Sequence, residues 1–157
     1  MSIIRLVAIS AALFAQADSG IKGVVAVNAR PELVREGFMF TEGPVGTADG
    51  GLFFSDIMGA DKTYRLDSSG KITPYRSNTN GTNGLALLRD GTLIGAEGTG
   101  KRISKAAGSG SAVTLTEGIS GRGLMAPNDL IVDSKGGVYF TDPGPRPIVP
   151  DRKAFVY

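Results

Sequence analysis

Three stretches of the chain align without a gap, and this internal repeat constrains the fold more than any other feature. They are EGPVGTADGGLFFSD at 42–56, NGLALLRDGTLIGAE at 83–97 and NDLIVDSKGGVYFTD at 128–142, offset by 41 and then 45 residues. Each opens on a side chain with a carbonyl oxygen (Glu42, Asn83, Asn128), carries glycine eight residues later (Gly50, Gly91, Gly136) and closes on an acid (Asp56, Glu97, Asp142). Short apolar or β-branched runs flank each glycine, the pattern of two strands joined by a tight turn. Further strand-like runs follow, at 63–76 around Ser68-Ser69-Gly70 and at 102–116. Four short antiparallel strands in a unit of about 40 residues are the signature of a propeller blade. A β-sandwich, the rival fold, has no reason to repeat at this pitch.

The expected fold is therefore an all-β propeller of four-stranded antiparallel blades, with a lead-in segment over 18–37 and the propeller over 38–157. The blades fall at about 38–78, 79–119 and 120–157, and the last is incomplete. In the third unit, 130–132 and 138–141 form a hairpin about Lys135-Gly136-Gly137, and KAFVY at 153–157 supplies a third strand. Helical periodicity is weak, and only 30–38 suggests a turn or two of helix. Two and a half to three blades cannot close a ring, and closure is what removes exposed sheet edges. The expectation is an N-terminal part of a larger propeller, marginally stable or aggregation-prone in isolation.

Composition narrows the chemistry. The chain has no histidine and no cysteine, which excludes Ser-His-Asp and Cys-His catalysis, imidazole and thiolate metal ligands, iron–sulfur clusters and disulfides. A metal must then be held by oxygen, which points to a hard cation. The net charge of +2 comes from scattered residues, and the strands carry no aromatic platform, so no nucleic-acid partner is expected. At the N-terminus, Arg5, the apolar run 6–15 and Ala15-Gln16-Ala17 match a signal peptide over 1–17. About ten apolar residues cannot cross a hydrocarbon core of roughly 30 Å. The expected location is the periplasm or the exterior, with no membrane span after cleavage.

The repeat also places chemistry. The first strand of a blade lines the central channel, so Glu42, Asn83 and Asn128 would aim three oxygen-bearing side chains at one axis. Prolines stiffen the backbone at Pro44 and Pro127, beside the first and third of them. A Glu carboxylate and an Asn carbonyl suit calcium, with water or other carboxylates completing six to eight positions. Asp56, Glu97 and Asp142 should return to the same face, where solvated strand ends or links between blades are the expectation. Asp129 reads as a turn residue beside Asn128. Asn80-Gly81-Thr82 has the form of a glycosylation sequon, but its place on a turn gives it little weight.

EGP at 42–44, NGLALLRDGTLIGAE at 83–97 and APNDLIVDSKGGVYFTDP at 126–143 resemble the regucalcin/gluconolactonase-like family of six-bladed β-propellers. The likeness spans most of 38–144, about half of a family member. It implies a lactone hydrolase with one divalent cation in the channel, most readily Ca2+, with Mg2+, Mn2+ or Zn2+ as alternatives. By the same likeness Glu42 and Asn128 match two metal ligands, and Asn83 matches a position that contacts substrate or the metal's water. The third ligand, an Asp that also serves as general base, belongs to a later blade, so no catalytic residue is assigned within this chain. The isolated segment is accordingly expected to be inactive. Some members carry Arg where this chain has Gly81, and others carry His where it has Gly98. The implied substrate is a small lactone or ester. The alternatives are a non-enzymatic exported propeller that binds a ligand or protein, and related metal-dependent esterase or C–N lyase-like chemistry. GAEGTGKR at 95–102 resembles a P-loop, but Arg102 replaces the magnesium-binding hydroxyl and no helix-forming run follows.

Overall fold

In the computed structural model, residues 20–106 and 111–157 are described; the expected signal peptide at 1–17 lies outside them. The chain divides into two compact units at Arg35/Glu36. In the described part of the first, a turn brings Ile21 and Val25 together in a single β-bridge. No helix forms over 30–38. Isolated helices this short are marginal without a packed face, and residues 30–37 are all exposed. Among the described residues no helix is long and apolar enough to cross a membrane.

The second unit is all-β. The strands β1 (Thr41–Gly46), β2 (Leu52–Asp56), β3 (Lys62–Leu66) and β4 (Ile72–Ser77) form a four-stranded antiparallel meander. A second meander contains β5 (Thr82–Leu87), β6 (Leu93–Glu97), β7 (Arg102–Lys105) and β8 (Val113–Thr116). A small hairpin follows, β9 (Gly118–Ile119) with β10 (Arg122–Gly123). The third sheet has three strands, β11 (Leu130–Val132), β12 (Val138–Asp142) and β13 (Phe155–Val156). These are successive propeller blades, the last with three strands, as the repeat predicts.

The first hairpin of every blade closes on the same turn. Gly50, Gly91 and Gly136 have φ of +83°, +79° and +89°, and each donates its N–H to the carbonyl three residues back, at Thr47, Leu88 and Asp133. This is a three-residue loop with a left-handed last position, where glycine avoids the Cβ clash. The turn between β3 and β4 is the same, with Gly70 at +86° bonded to the Asp67 carbonyl.

Period-two alternation feeds two cores from the middle blade. On one face Leu85 and Leu93 pack with Phe53 of the first blade. On the other, Ala86, Ile94, Ala96 and Ile103 pack with Leu130 and Phe140 of the third and with Leu124. All five residues of β6 are buried, which explains its run of apolar and small side chains. Tyr139 holds in the third blade the place of Phe53 and Ile94, yet it is 51% exposed, beside Ile131 and Val156 on the uncovered face of the last sheet.

Candidate functional site

The column Glu42/Asn83/Asn128 coincides with a backbone irregularity in each blade. The β1–β2 register slips by one residue between Glu42 and Val45, and the β5–β6 register slips between Thr82 and Leu85. In the third blade the Asn128 N–H and the Asp129 carbonyl both bond Thr141. A bulge places two residues opposite one, bends the strand and re-aims the side chains there. The inner strands also meet closely. A Cβ on Gly43 would strike the Asn83 carbonyl, and one on Gly84 would lie 2.7 Å from the Asp129 Cα and 3.0 Å from the Asn128 carbonyl oxygen. Glycine in these bulges lets neighbouring blades come together at the axis.

This approach brings two of the three column side chains into contact. Asn83 Nδ2 donates to Asn128 Oδ1 at 2.7 Å, and the Gly84 N–H donates to the Asn128 carbonyl at 2.8 Å. Glu42 is linked to the pair through the sheet. Its register partner Ser55 donates its hydroxyl to the Asn83 carbonyl at 2.9 Å. The Glu42 carboxylate is half-buried, and among the described residues its one hydrogen bond comes from the Gly43 N–H at 3.3 Å. Asp129 accepts from the N–H of Leu130 at 2.8 Å, the local role expected of a turn residue.

Fourteen residues further on, the acids are buried instead of solvated: Asp56 is 2% exposed, and Glu97 and Asp142 are fully covered. Asp56 Oδ1 accepts the N–H groups of Met39 and Phe40 at 3.1 and 2.8 Å. Asp142 accepts those of Met125 and Ala126, both at 2.8 Å. In each case the acid clasps the segment leading into its own blade's first strand and gives its backbone donors a partner.

Glu97 makes a different clasp. One methylene longer, it accepts from the Asn80 amide at 2.8 Å and the Ser104 hydroxyl at 2.6 Å, and it pairs with Arg102 at 2.7 Å. It also pairs with Arg76 of the first blade at 3.1 Å, so this acid does link two blades. The Gly81 N–H, left over by this arrangement, donates to Asp61 Oδ1 at 2.9 Å. Burial by itself would raise the Glu97 pKa. Hydrogen bonds from Arg102, Ser104 and Asn80, with the Arg76 charge, outweigh it and hold the carboxyl below its ordinary value.

Asn83 and Asn128 line a groove of about 760 Å3 between the loops on one face. The 98–101 turn after β6 and the 143–148 segment after β12 contribute the cations Lys101 and Arg146 to its lining. Met58, Met125, Pro127 and Ile148 supply apolar wall. The P-loop-like run is the turn between β6 and β7, and a strand stands where a phosphate loop requires a helix. Sequence reasoning met Lys101 only as the lysine of the P-loop-like run and had no signal for Arg146 or the Arg76–Glu97 pair. The pair joins residues 21 apart, and the loops meet only when the blades stack.

The solved structures bear on what this arrangement belongs to. A structural-genomics target assigned as a gluconolactonase superposes with a TM-score of 0.66 at 26% identity, over 78% of this chain and 47% of that one. XC5397 from Xanthomonas campestris, a gluconolactonase important in glucose secondary metabolic pathways, gives 0.67 at 25% identity, over 78% and 45%. Virginiamycin B lyase from Staphylococcus aureus shares the fold, with a TM-score of 0.52 at 18% identity, over 74% and 40%. The chain thus spans about half the length of the gluconolactonases it matches. No curated protein sequence matches it. The model of the SMP-30/gluconolactonase/LRE-like region matches residues 40–156, most of the chain, and the protein belongs to that family.

Proposed function

We propose that this protein, within a complete propeller, is a metal-dependent lactonase of the gluconolactonase type, exported through its N-terminal signal. The observation that carries the reading is the Asn83–Asn128 carboxamide pair, set by strand bulges at the groove of a chain from this family.

The donor set fits a hard cation. Glu42 offers a half-buried carboxylate with a single long hydrogen bond, and Asn128 offers an amide oxygen whose partner, Asn83, can be exchanged for a cation. Among the described residues no three of His, Cys, Asp and Glu come together, and in this reading water, carbonyl oxygens and a carboxylate from a later blade complete the coordination. Calcium accepts such a mixed shell readily. When bound, the cation polarises the lactone carbonyl and stabilises the oxyanion formed as water attacks.

The chain's own residues position the substrate. Released from Asn128, the Asn83 amide can donate to a substrate oxygen, while the Ser55 hydroxyl holds its backbone in place. Met125 and Pro127 keep one wall apolar and limit water around the ring. Among the described residues no Asp or Glu lines the groove, and in this reading the proton acceptor for the attacking water is the Asp that the family resemblance places on a later blade.

Calcium titration by calorimetry of the complete propeller, together with its hydrolysis of gluconolactone and dihydrocoumarin, tests the reading. Binding that weakens in Glu42→Gln and Asn128→Ala, with hydrolysis that follows it, is the expected result. Hydrolysis indifferent to chelator and to both substitutions would sink the metal-lactonase reading. Ligand binding without turnover would favour the non-enzymatic propeller, and turnover of esters or amides alone would favour the related hydrolase or lyase chemistry.

A further inference from the structure

Three charged arginines in this unit have carboxylate partners: Arg65 with Asp49, and Arg76 and Arg102 with Glu97. Lys101 and Arg146, on the rim of the groove, have no such partner among the described residues. Among the described residues no carboxylate lines the groove to neutralise them. Asp129, next to Asn128, lies along a separate depression with Ile131 and Tyr139.

Lys101 sits at φ +53°, a left-handed position that few side-chain-bearing residues occupy, at the end of the turn that follows the Glu97 clasp. Behind the 143–148 loop lies a third cation, Arg152. Its guanidinium packs against Gly144, where an added Cβ would lie 3.0 Å from Nε, and one terminal nitrogen is buried without a hydrogen-bond partner. The remaining wall is apolar and open: Met58 is 54% exposed and Ile148 70%. Cations facing a partly apolar cleft raise the local concentration of anions, and their attraction is stronger there than on an open surface.

We infer that the groove selects a lactone bearing an anionic substituent, a carboxylate, on an apolar ring or chain, with Lys101 and Arg146 contacting the anion. The inference rests on the proposed lactonase reading and names its substrate class, which differs from a neutral sugar lactone. The Asn83–Asn128 end of the groove would take the lactone oxygens, and the apolar wall the ring. Lys101 meets the carboxylate as a point charge, whereas Arg146 can engage it through two N–H groups.

The test uses the complete propeller and two probes of one ring system, dihydrocoumarin and dihydrocoumarin carrying a ring carboxylate. Both kinetics and calorimetric binding are measured at low and high salt. The expected kcat/KM ratio of acid to neutral lactone is about tenfold at low salt, it lies in KM, and it shrinks as salt rises. Lys101→Ala and Arg146→Ala should each lower that ratio, with the double variant near one, and Arg146→Lys should restore part of it. A ratio near one in the wild type, or one unmoved by the double variant, overturns the inference. If neither lactone is turned over, the lactonase reading fails by itself and the binding data decide this one. Tighter binding of the carboxylate, lost in the double variant, upholds the anion site; equal binding of both probes removes it.

Discussion

Two rows of polar side chains run across the blades, fourteen residues apart within each repeat. Glu42, Asn83 and Asn128 stand at the head of the inner strands, half-buried or exposed, in bulges. Asp56, Glu97 and Asp142 stand at the tail of the second strands, buried, each accepting hydrogen bonds from the protein. Both rows are set by the same repeat, yet their hydrogen-bond bookkeeping differs. The buried row is bonded by the protein itself. Among the described residues the upper row, apart from one long bond to Glu42, has its side-chain bond only between its own members, leaving oxygen for something from outside. A polar residue whose partners are all internal serves the scaffold; one left with capacity at a groove is available for a ligand. Substitutions in the lower row should therefore change stability, and those in the upper row should change binding.

The largest effect is expected at Glu97→Gln, which removes the charge between Arg76 and Arg102 and leaves Arg76, 7% exposed, buried and unpaired. Loss of about 3 kcal/mol in urea unfolding is expected. The pH dependence follows from the lowered pKa. Because the folded carboxyl titrates below its unfolded value of about 4.5, its contribution is full above that pH. It is lost as pH falls through the folded value, and Glu97→Gln should flatten this acid limb. An unchanged limb would mean that other carboxylates set the acid transition.

Asp142→Ala comes next. It orphans the N–H groups of Met125 and Ala126 and should cost about 2 kcal/mol, with Asp142→Asn recovering part of it. Equal stability of the alanine variant would show that the lead-in segment finds other acceptors. Gly84→Ala crosses the two rows' roles. The new Cβ must push the Asp129 backbone away, at roughly 1–3 kcal/mol, and should separate Asn83 from Asn128, so calcium affinity and stability fall together. Glu42→Gln is the smallest in stability, within about 0.5 kcal/mol, because only one long hydrogen bond is altered. Its effect should instead appear in calorimetric calcium binding. A Glu42→Gln variant that unfolds easily would place Glu42 with the scaffold and erase the contrast between the rows.

Much of the architecture was legible from residue order. Turn chemistry is local, so Gly50, Gly91 and Gly136 marked three hairpins that the structure closes with one turn geometry. The alternation of apolar residues is equally local, and it marked β6 and its neighbours as strands. The short helix suggested over 30–38 was a local signal as well, but nothing buries a face of it, so it does not form. The burial of Asp56, Glu97 and Asp142 was not legible. An acid at a strand end looks the same whether water or a backbone N–H meets it, and only packing of the lead-in segment decides.

By itself, then, the sequence determined the repeat, its strands and turns, the oxygen-only donor chemistry and the column that contains Glu42, Asn83 and Asn128. Those properties depend on residue type and spacing along the chain, which no packing can alter. The tertiary structure decided which residues come together: Asn83 bonded to Asn128 across two blades, Glu97 paired with Arg76, and Lys101 and Arg146 lining one groove. Each of these pairs joins residues more than twenty positions apart, and their distance is set by how closely the blades stack through Gly43, Gly84 and the cores around Leu93 and Ile94.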